Sequence, residues 1–273
     1  FKKISPDVVI HLAAQPLVLA SYAKPLETYE TNVIGTLNVL QAVEAISSVQ
    51  ATLIITTDKV YRQEPGVNKA FVEADALGAA DPYSTSKAMA DLLTQSWISS
   101  HAASRIAIAR AGNVIGGGDV AEDRLLPDLV KAFASGRKAI VRNPESVRPW
   151  QHVLDCLAGY ISLAEALASD EAKAGAYNFG PSPESPVQVG GVAGIAAAVW
   201  GDGADWVAEE QRHLHESRYL TLDSSNSKSI LGWDEKLTST EAIQWSIDWF
   251  KRASLGESAK SLTFKQISEF FAR

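Results

Sequence analysis

The fold is decided by the stretch TLIITTDK at residues 52–59. Its first half is a short apolar run rich in β-branched residues, which is typical of a strand buried on both faces of a parallel sheet. Helical patterns at residues 36–46 and 82–98 alternate with further runs of this kind, and that alternation predicts a doubly wound α/β fold. The predicted strands are Val8–Leu12, Thr52–Thr56, Ile106–Ala109 and Ala176–Phe179.

The composition is that of a globular protein. Of the 273 residues, 46% are apolar and 21% are charged, and the formal net charge of −7 argues against a general nucleic-acid-binding surface. Cys156 is the one cysteine, so the chain holds no internal disulfide, and its apolar surroundings predict a buried thiol. No apolar stretch reaches membrane-spanning length, so we expect a cytoplasmic protein without a membrane partner. No metal site is predicted.

The sequence changes in character from Gly112 onward. Loops rich in glycine, proline and arginine at residues 116–119, 143–149 and 181–186 break up short helical patterns. This pattern of loops and short helices indicates a smaller mixed α/β region that covers a bound substrate. A last helix is predicted at residues 240–253, where apolar side chains recur at helical spacing.

Tyr83 and Lys87 form the most specific local pattern. They lie four residues apart on the predicted helix that begins after Asp81, so both side chains share one face. A neighbouring ammonium favours phenolate, and we therefore expect Lys87 to lower the pKa of Tyr83. Such a phenol is a base for a hydroxyl proton during hydride transfer.

The triplet Thr57, Asp58 and Lys59 follows the predicted strand that ends at Thr56. Active sites of such sheets gather at the carboxyl ends of strands. Thr57 is a candidate hydrogen-bonding partner for the hydroxyl that Tyr83 would deprotonate. A carboxyl and an amine exceed the needs of alcohol oxidation, but they match an elimination of water, which requires an acid and a base. The alternative is a surface turn in which Asp58 and Lys59 are only solvated.

Longer motifs carry a resemblance to a known family. It runs from residue 6 to about residue 250, with the motifs in the family's order. The motifs DVVIHLAAQ at 7–15, TNVIGT at 31–36 and YSTSK at 83–87 resemble extended short-chain dehydrogenases, whose sheet is of the Rossmann type. The motifs TDK at 57–59, AGNVIGGGD at 111–119, DRLLPD at 123–128 and RPWQHV at 148–153 resemble, more narrowly, CDP-glucose 4,6-dehydratases.

The resemblance implies a reaction. The family converts CDP-glucose to CDP-4-keto-6-deoxyglucose with a bound NAD that is regenerated in each turnover. Tyr83 would then deprotonate the 4-hydroxyl, Lys87 would hold the cofactor ribose, and Asp58 would protonate the departing 6-hydroxyl. Lys59 stands where related dTDP-glucose enzymes carry glutamate. It is either a base, which requires a neutral amine, or a stabiliser of the developing enolate.

Binding residues follow from the same resemblance. His11 and Asn32 are implied NAD contacts. The alternative for His11 is a strand-end residue whose hydrogen bonds are made within the protein, and the alternative for Asn32 is a helix cap. His215 matches the family without an assigned role, and Arg124 and Arg142 are weaker candidates than Arg148, whose paired donors suit phosphates. The implied NAD contacts are His11, Ala13, Ala14, Gln15, Asn32, Tyr83 and Lys87, and the implied substrate contacts are Asn113, Arg124, Arg142, Arg148 and His215.

One family feature is missing. The family's first strand and glycine-rich turn, which hold the pyrophosphate at a helix N-terminus, have no counterpart before residue 6, so we expect an N-terminally truncated sheet. The motif GGGDVA at 116–121 is a decoy, because it lies within the substrate motif and Asp119 would repel phosphate. An apolar edge at Val8–Leu12 would then be exposed, and we expect this polypeptide alone to bind NAD poorly and to aggregate.

The resemblance also implies a domain division and a partner. Residues 1–112 and 150–180 would be the remainder of the NAD-binding domain, and residues 113–149 and 181–273 the sugar-nucleotide-binding region. Family members pair through the helices at 36–46 and 82–98, so a homodimer is expected.

Two other functions remain open from the sequence. A nucleotide-sugar epimerase or reductase shares the Tyr83–Lys87 pair but does not need Asp58 and Lys59. A catalytically silent fragment that only binds a sugar nucleotide would agree with the missing glycine-rich turn.

Overall fold

The computed structural model describes residues 1–64, 66–101, 105–183, 186–209 and 218–273. Short helical turns lie at Glu30–Ile34, a π-helix, and at Asp58–Val60 and Glu171–Lys173, which are 3-10 turns. The strands are β1 Val8–His11, β2 Ala51–Ile55, β3 Ala70–Phe71, β4 Ile106–Ala111, β5 Asn113–Ile115, β6 Ala139–Val141, β7 Val147–Arg148, β8 Trp150–His152, β9 Gly175–Phe179, β10 Val187–Gln188, β11 Trp206–Ala208 and β12 Thr221–Leu222. The helices are α1 Val18–Ala23, α2 Pro25–Tyr29, α3 Gly35–Glu44, α4 Pro82–Ser100, α5 Leu125–Ala134, α6 Val153–Ser169, α7 Val189–Trp200, α8 Ser225–Leu231, α9 Ser239–Ser254 and α10 Ala259–Phe271.

The central sheet is parallel, with the order β1-β2-β4-β9 in the described part of the chain. Ile54 of β2 pairs with Ile108 of β4, which pairs in turn with Ala176 of β9. The predicted parallel α/β sheet is confirmed, and each predicted strand is found with its ends shifted by at most a residue or two. The predicted long helices are found as α3, α4 and α9.

Strand β2 shows why the sheet is covered on both faces. Leu53 points to the side where Leu163 and Leu167 of α6 pack. Ile54, the next residue, points to the opposite side and packs in one cluster with Leu40 of α3. Successive side chains of a strand alternate between faces, so a run that is apolar at every position needs helices on both sides.

The second half of the chain builds its own core. Helices α5, α7, α9 and α10 surround a cluster that includes Leu129, Val192, Ile243 and Leu262. Short ladders accompany it: β6 with β11, β7 with β10, and β5 with β8. This region is the smaller mixed α/β part that the glycine- and proline-rich loops predicted.

Strand β1 is the outer strand of the central sheet within the described ranges. Val8 and Ile10 of this strand are 43% and 36% exposed. Cys156 is buried on α6, as predicted. None of the helices described here combines the length and the apolar character needed to cross a membrane.

Candidate active site

A cavity of about 390 Å³ opens at the carboxyl end of β2, between the central sheet and the second region. Parallel strands present their carboxyl ends at one edge, which is where ligands bind in sheets of this type. The cavity brings together most of the catalytic and substrate residues predicted from sequence. Those that line it are Thr57, Asp58, Lys59, Tyr83, Asn113, Arg124, Arg142 and Arg148.

Asp58 sits in a short turn directly after β2. Thr57 caps this turn, because its hydroxyl accepts a hydrogen bond from the Lys59 backbone N–H at 3.4 Å. The same hydroxyl donates to Asp58 Oδ1 at 3.0 Å, and Asp58 is only 2% exposed. Burial raises the pKa of Asp58, while the positive charges of Lys59 and Arg148 oppose that rise. A carboxyl in this setting is held toward its protonated form, which is the form that a general acid needs.

Tyr83 lies in the first turn of α4. The helix begins at Pro82, with Asp81 as its N-cap, whose carboxylate accepts the Ser84 N–H at 2.9 Å. The Tyr83 N–H donates to the hydroxyl of the fully buried Ser21 at 3.1 Å, which ties α4 to α1. A hydrogen bond from Thr57 acts on the phenol, and Tyr83 and Asp58 both line the cavity.

The expected effect of Lys87 on Tyr83 is wrong for this structure. Burial raises the pKa of Tyr83 to about 12, and the groups that oppose this rise are the Thr57 hydrogen bond and Arg124. The Lys87 amine instead donates to the Ile55 carbonyl at 2.9 Å, and its burial lowers its pKa to about 8. Spacing four apart on a helix gives a shared face but not the direction of a long side chain.

Three arginines converge on the cavity from different elements. Arg148 of β7 is 6% exposed, and its guanidinium donates to the Val147 carbonyl at 2.8 Å. Arg124 pairs with Asp119 at 3.0 Å, and Arg142 lies 3.8 Å from Asp123. Paired guanidinium donors match the oxygens of phosphates. The lining also includes Asp58, Asp119, Asp123 and Asp128, so the arginines provide hydrogen-bond donors for an anionic ligand rather than a net positive charge.

Apart from Tyr83, the residues with implied NAD contacts do not line the cavity. Asn32, in the π-helix, accepts from Gln15 N–H at 2.8 Å and donates to the Gln15 carbonyl at 3.0 Å. It also donates to Ser86 Oγ at 2.9 Å, so it fastens the loop after β1 to α4 and is not a helix cap. Ala13 is exposed and Ala14 half-buried in that loop, whose next residues, Pro16 to Leu19, line the cavity.

Lys87 and His11 show that a cofactor's ribose fits here. The pKa of His11 is lowered first by burial and then by the nearby charge of Lys87. An ammonium has three N–H donors, and within the described residues the buried Lys87 amine uses one, toward Ile55. The remaining donors suit ribose hydroxyls. The loop between β1 and α1 contains no glycine.

The glycines of the 116–121 motif have a packing role, as their interpretation as a decoy implies. A Cβ on Gly116 would lie 2.7 Å from Val153 Cγ1, and one on Gly117 would lie 2.1 Å from Trp249 Cδ2. Gly118 has a φ of +88°, which disfavours other residues. The loop therefore needs glycine to pass close to α6 and α9 while it lines the cavity.

His215 lies outside the described residues. The sequence did not single out Ser21, which holds the start of α4, or Ile140, which lines the cavity. No local motif marks these two positions, because each acquires its place through contacts with distant elements.

Comparisons with known proteins agree with this geometry. Residues 1–180 match the NAD dependent epimerase/dehydratase family. A CDP-glucose 4,6-dehydratase of Salmonella typhimurium is 39% identical over 280 aligned residues, covering 99% of this chain and 77% of the relative. A dTDP-glucose 4,6-dehydratase of Mycolicibacterium smegmatis is 29% identical over 247 residues, covering 90% and 72%. The structure of a Thermotoga maritima UDP-glucose 4-epimerase matches with a TM-score of 0.81 at 20% identity, covering 93% and 80%, which shows a shared fold.

Proposed function

The chain belongs to the NAD dependent epimerase/dehydratase family, and from that premise we propose that it converts CDP-glucose to CDP-4-keto-6-deoxyglucose and water. NAD is the cofactor of the family. The similarity to a CDP-glucose 4,6-dehydratase, which extends over 99% of the chain, supports the choice of substrate.

One observation carries the proposal: a buried carboxyl, Asp58, shares the cavity with Tyr83. Hydride transfer alone needs a base for a hydroxyl proton, which Tyr83 provides. Loss of the 6-hydroxyl as water needs an acid in addition, and burial raises the pKa of Asp58, which favours its acid form. An epimerase or reductase would not require this second group.

Tyr83, Asp58 and Lys59 each carry out one proton transfer of the proposed dehydration. Tyr83 takes the proton of the 4-hydroxyl as the hydride leaves C4. Asp58 donates its proton to the 6-hydroxyl, so that the leaving group departs as water. Lys59, which lies next to Asp58 and lines the same cavity, takes the proton next to the ketone, and its amine must be neutral for this step. It returns that proton to C5 when the hydride reaches C6, so that the elimination has both an acid and a base.

The cofactor is held, in this proposal, by Lys87 and the loop at 11–15, with Asn32 fixing that loop. NAD, when bound, would supply the hydride acceptor for C4 and the hydride donor for C6, and its oxidised form would add a positive charge that favours the Tyr83 phenolate. That charge matters because the pKa of Tyr83 is otherwise raised to about 12. Asn113 and Arg148 hold the substrate diphosphate, with Arg124 and Arg142 as further contacts.

The domain division and the dimer are part of the proposal. The core cluster around Leu129 and Ile243 draws on residues of the proposed sugar-nucleotide region, with Trp150 at its border. Met89 and Leu92 of α4 are 44% and 52% exposed, which supports pairing of two copies through α3 and α4 in a cytoplasmic enzyme. Sedimentation of the wild type and of Leu92→Asp tests this: the variant should sediment as a monomer, and an unchanged dimer would contradict the assignment.

The function is tested by incubating the complete gene product with CDP-glucose and NAD. We expect the alkali-dependent absorbance of a 4-keto-6-deoxy sugar. An epimerised product without this absorbance would favour the epimerase function. Tight CDP-glucose binding with no product at all would favour a silent binding module.

A further inference from the structure

A buried ion pair lies directly beneath the candidate active site. Asp91 of α4 and Arg110 of β4 are both fully buried. They form two hydrogen bonds of 2.8 Å, from Arg110 Nε to Asp91 Oδ2 and from Arg110 Nη2 to Asp91 Oδ1. Two parallel bonds fix the relative orientation of the groups as well as their distance. The pair therefore locks α4 to β4.

The same pair holds both flanks of the turn that carries Thr57, Asp58 and Lys59. On the entry side, Thr56 Oγ1 donates to Asp91 Oδ2 at 3.0 Å. On the exit side, Arg110 Nη1 donates to the Tyr61 hydroxyl at 2.9 Å. Both residues are nearly inaccessible, with Thr56 at 6% and Tyr61 at 1% exposure.

Helix α4 connects the pair to the other half of the site. Tyr83, Lys87 and Asp91 are spaced four residues apart, so they lie along one face of the helix. Asp91 thus joins, through one rigid element, the turn with the candidate acid to the helix with the candidate base. A third anchor comes from β9, where Asn178 Oδ1 accepts from the Tyr61 hydroxyl at 2.6 Å.

We propose that the network of Thr56, Tyr61, Asp91, Arg110 and Asn178 positions Asp58 against Tyr83 for the reaction. This inference rests on the proposed function, since it assigns the network to the alignment of that acid and that base. The network residues do not line the cavity, so they are positioning residues rather than catalytic ones. Their effect arises because a small displacement of a reacting group costs a large factor in rate.

The test uses single hydroxyl deletions that leave the ion pair intact. Thr56→Val removes the hydrogen bond to Asp91 before the turn, and Tyr61→Phe removes the hydrogen bond from Arg110 after it. Thr52→Val is a matched control, since Thr52 lies fully buried on the same strand and its hydroxyl has no partner within the described residues. Tyr177→Phe is the second control, because Tyr177 points to the face of β9 opposite to that of Asn178 and its phenol donates to Lys173 O at 2.9 Å. Thr56→Ser restores the hydroxyl.

We expect Thr56→Val and Tyr61→Phe to lower kcat by about 10- to 100-fold with KM unchanged, and Thr56→Ser to recover it. Reduced nicotinamide should accumulate during a single turnover of both variants, because elimination slows while oxidation at C4 continues. Equal kcat in the network variants and in their controls, at matched thermal stability, would overturn the inference.

A second measurement is independent of turnover. The carboxyl of Asp58, followed by carbon-13 NMR during a pH titration, should shift its midpoint in Thr56→Val but not in Thr52→Val. If the wild type makes no 4-keto-6-deoxy product, the proposed function is wrong. The titration of Asp58 still tests whether the network positions this side chain, because it does not depend on turnover. An Asp58 midpoint that is the same in both variants would contradict the positioning role.

Discussion

Asp58 Oδ1 accepts a 3.0 Å hydrogen bond from the Thr57 hydroxyl, while Asp58 Oδ2 is buried without a partner among the described residues. An unpaired buried carboxylate oxygen is costly, and a proton on that oxygen relieves the cost. In the proposed mechanism the two oxygens of one side chain have different tasks: Oδ1 is anchored to the turn, and Oδ2 would carry the proton that the substrate receives.

Replacing this group tests the acid. Asp58→Asn keeps the shape and the hydrogen bond from Thr57 but has no acidic proton. We expect dehydration to fall by about 10²- to 10⁴-fold, with thermal stability equal to or above that of the wild type. The rate is measured through the 4-keto-6-deoxy product, with the exposed Asp205→Asn as a control of full activity. An Asp58→Asn enzyme with wild-type turnover would remove the acid from the mechanism.

Arg148 should govern substrate affinity more than chemistry. Arg148→Lys keeps the charge but loses the forked donors that match a diphosphate. Because charge-assisted hydrogen bonds contribute about 1.5–3 kcal/mol each, we expect KM for CDP-glucose to rise roughly 10- to 100-fold. Steady-state kinetics with Arg137→Lys, an exposed arginine that does not line the cavity, provide the comparison. A fall in kcat at unchanged KM would place Arg148 in the chemical step instead.

The close approach of Gly117 and Trp249 predicts a stability difference between two glycine variants. A Cβ at Gly117 would lie 2.1 Å from the indole, so Gly117→Ala must displace it, at about 1–3 kcal/mol of unfolding free energy or more. Gly194, on the exposed side of α7, would place an added Cβ with no atom within 4 Å, and Gly194→Ala should gain about 0.5–1 kcal/mol. Urea unfolding of both proteins measures the contrast. Equal stabilities would show that the loop adapts freely.

His152 predicts how stability depends on pH. It is buried, its Nδ1 accepts the Leu154 N–H at 3.3 Å, and burial lowers its pKa to about 4 from about 6.5. Between these values the unfolded chain binds more protons than the folded one, so stability falls as pH decreases through this window. From pH 7 to pH 5, this group removes about 2 kcal/mol.

The variant His152→Asn isolates that effect. Asparagine is a good N-cap and does not titrate, so it can keep the start of α6 while removing the proton uptake. The unfolding free energy of the wild type should drop more than that of the variant between pH 7 and pH 5. Asp155 titrates in both proteins, since its pKa is raised to about 6, and it cancels in the difference. If the wild type and the variant lost the same unfolding free energy between pH 7 and pH 5, His152 would be excluded as the source of the pH dependence.

The sequence predicted the central sheet because its strands are short, mostly apolar runs. It ended one of them too early: the run Ile106–Ala109 continues through Arg110 to Ala111. A charged residue normally marks the end of a buried strand, but Arg110 is neutralised by Asp91, which lies on another element. Nothing in the local pattern reveals a partner that folding brings from a helix. The π-helix at Glu30–Ile34 has no sequence signature either.

The site was predictable to the extent that its groups lie in local motifs. Thr57, Asp58 and Tyr83 come from two such motifs, and all three residues line the cavity. The raised pKa of Tyr83 was not predictable, because it depends on burial and on where the flexible Lys87 amine points. Helix spacing specifies which residues share a face, whereas the surrounding dielectric and the choice of hydrogen-bond partner emerge only from the packed structure.

The most direct test of dehydration by Tyr83 and Asp58 follows one hydrogen through the reaction. CDP-glucose that carries deuterium at C4 is converted by the complete gene product with NAD, and the product is analysed by NMR and mass spectrometry. The mechanism predicts that the deuterium moves to the new methyl group at C6, because the hydride removed from C4 returns there. Deuterium retained at C4 of an epimerised sugar, or a C6 methyl group without it, would contradict the mechanism.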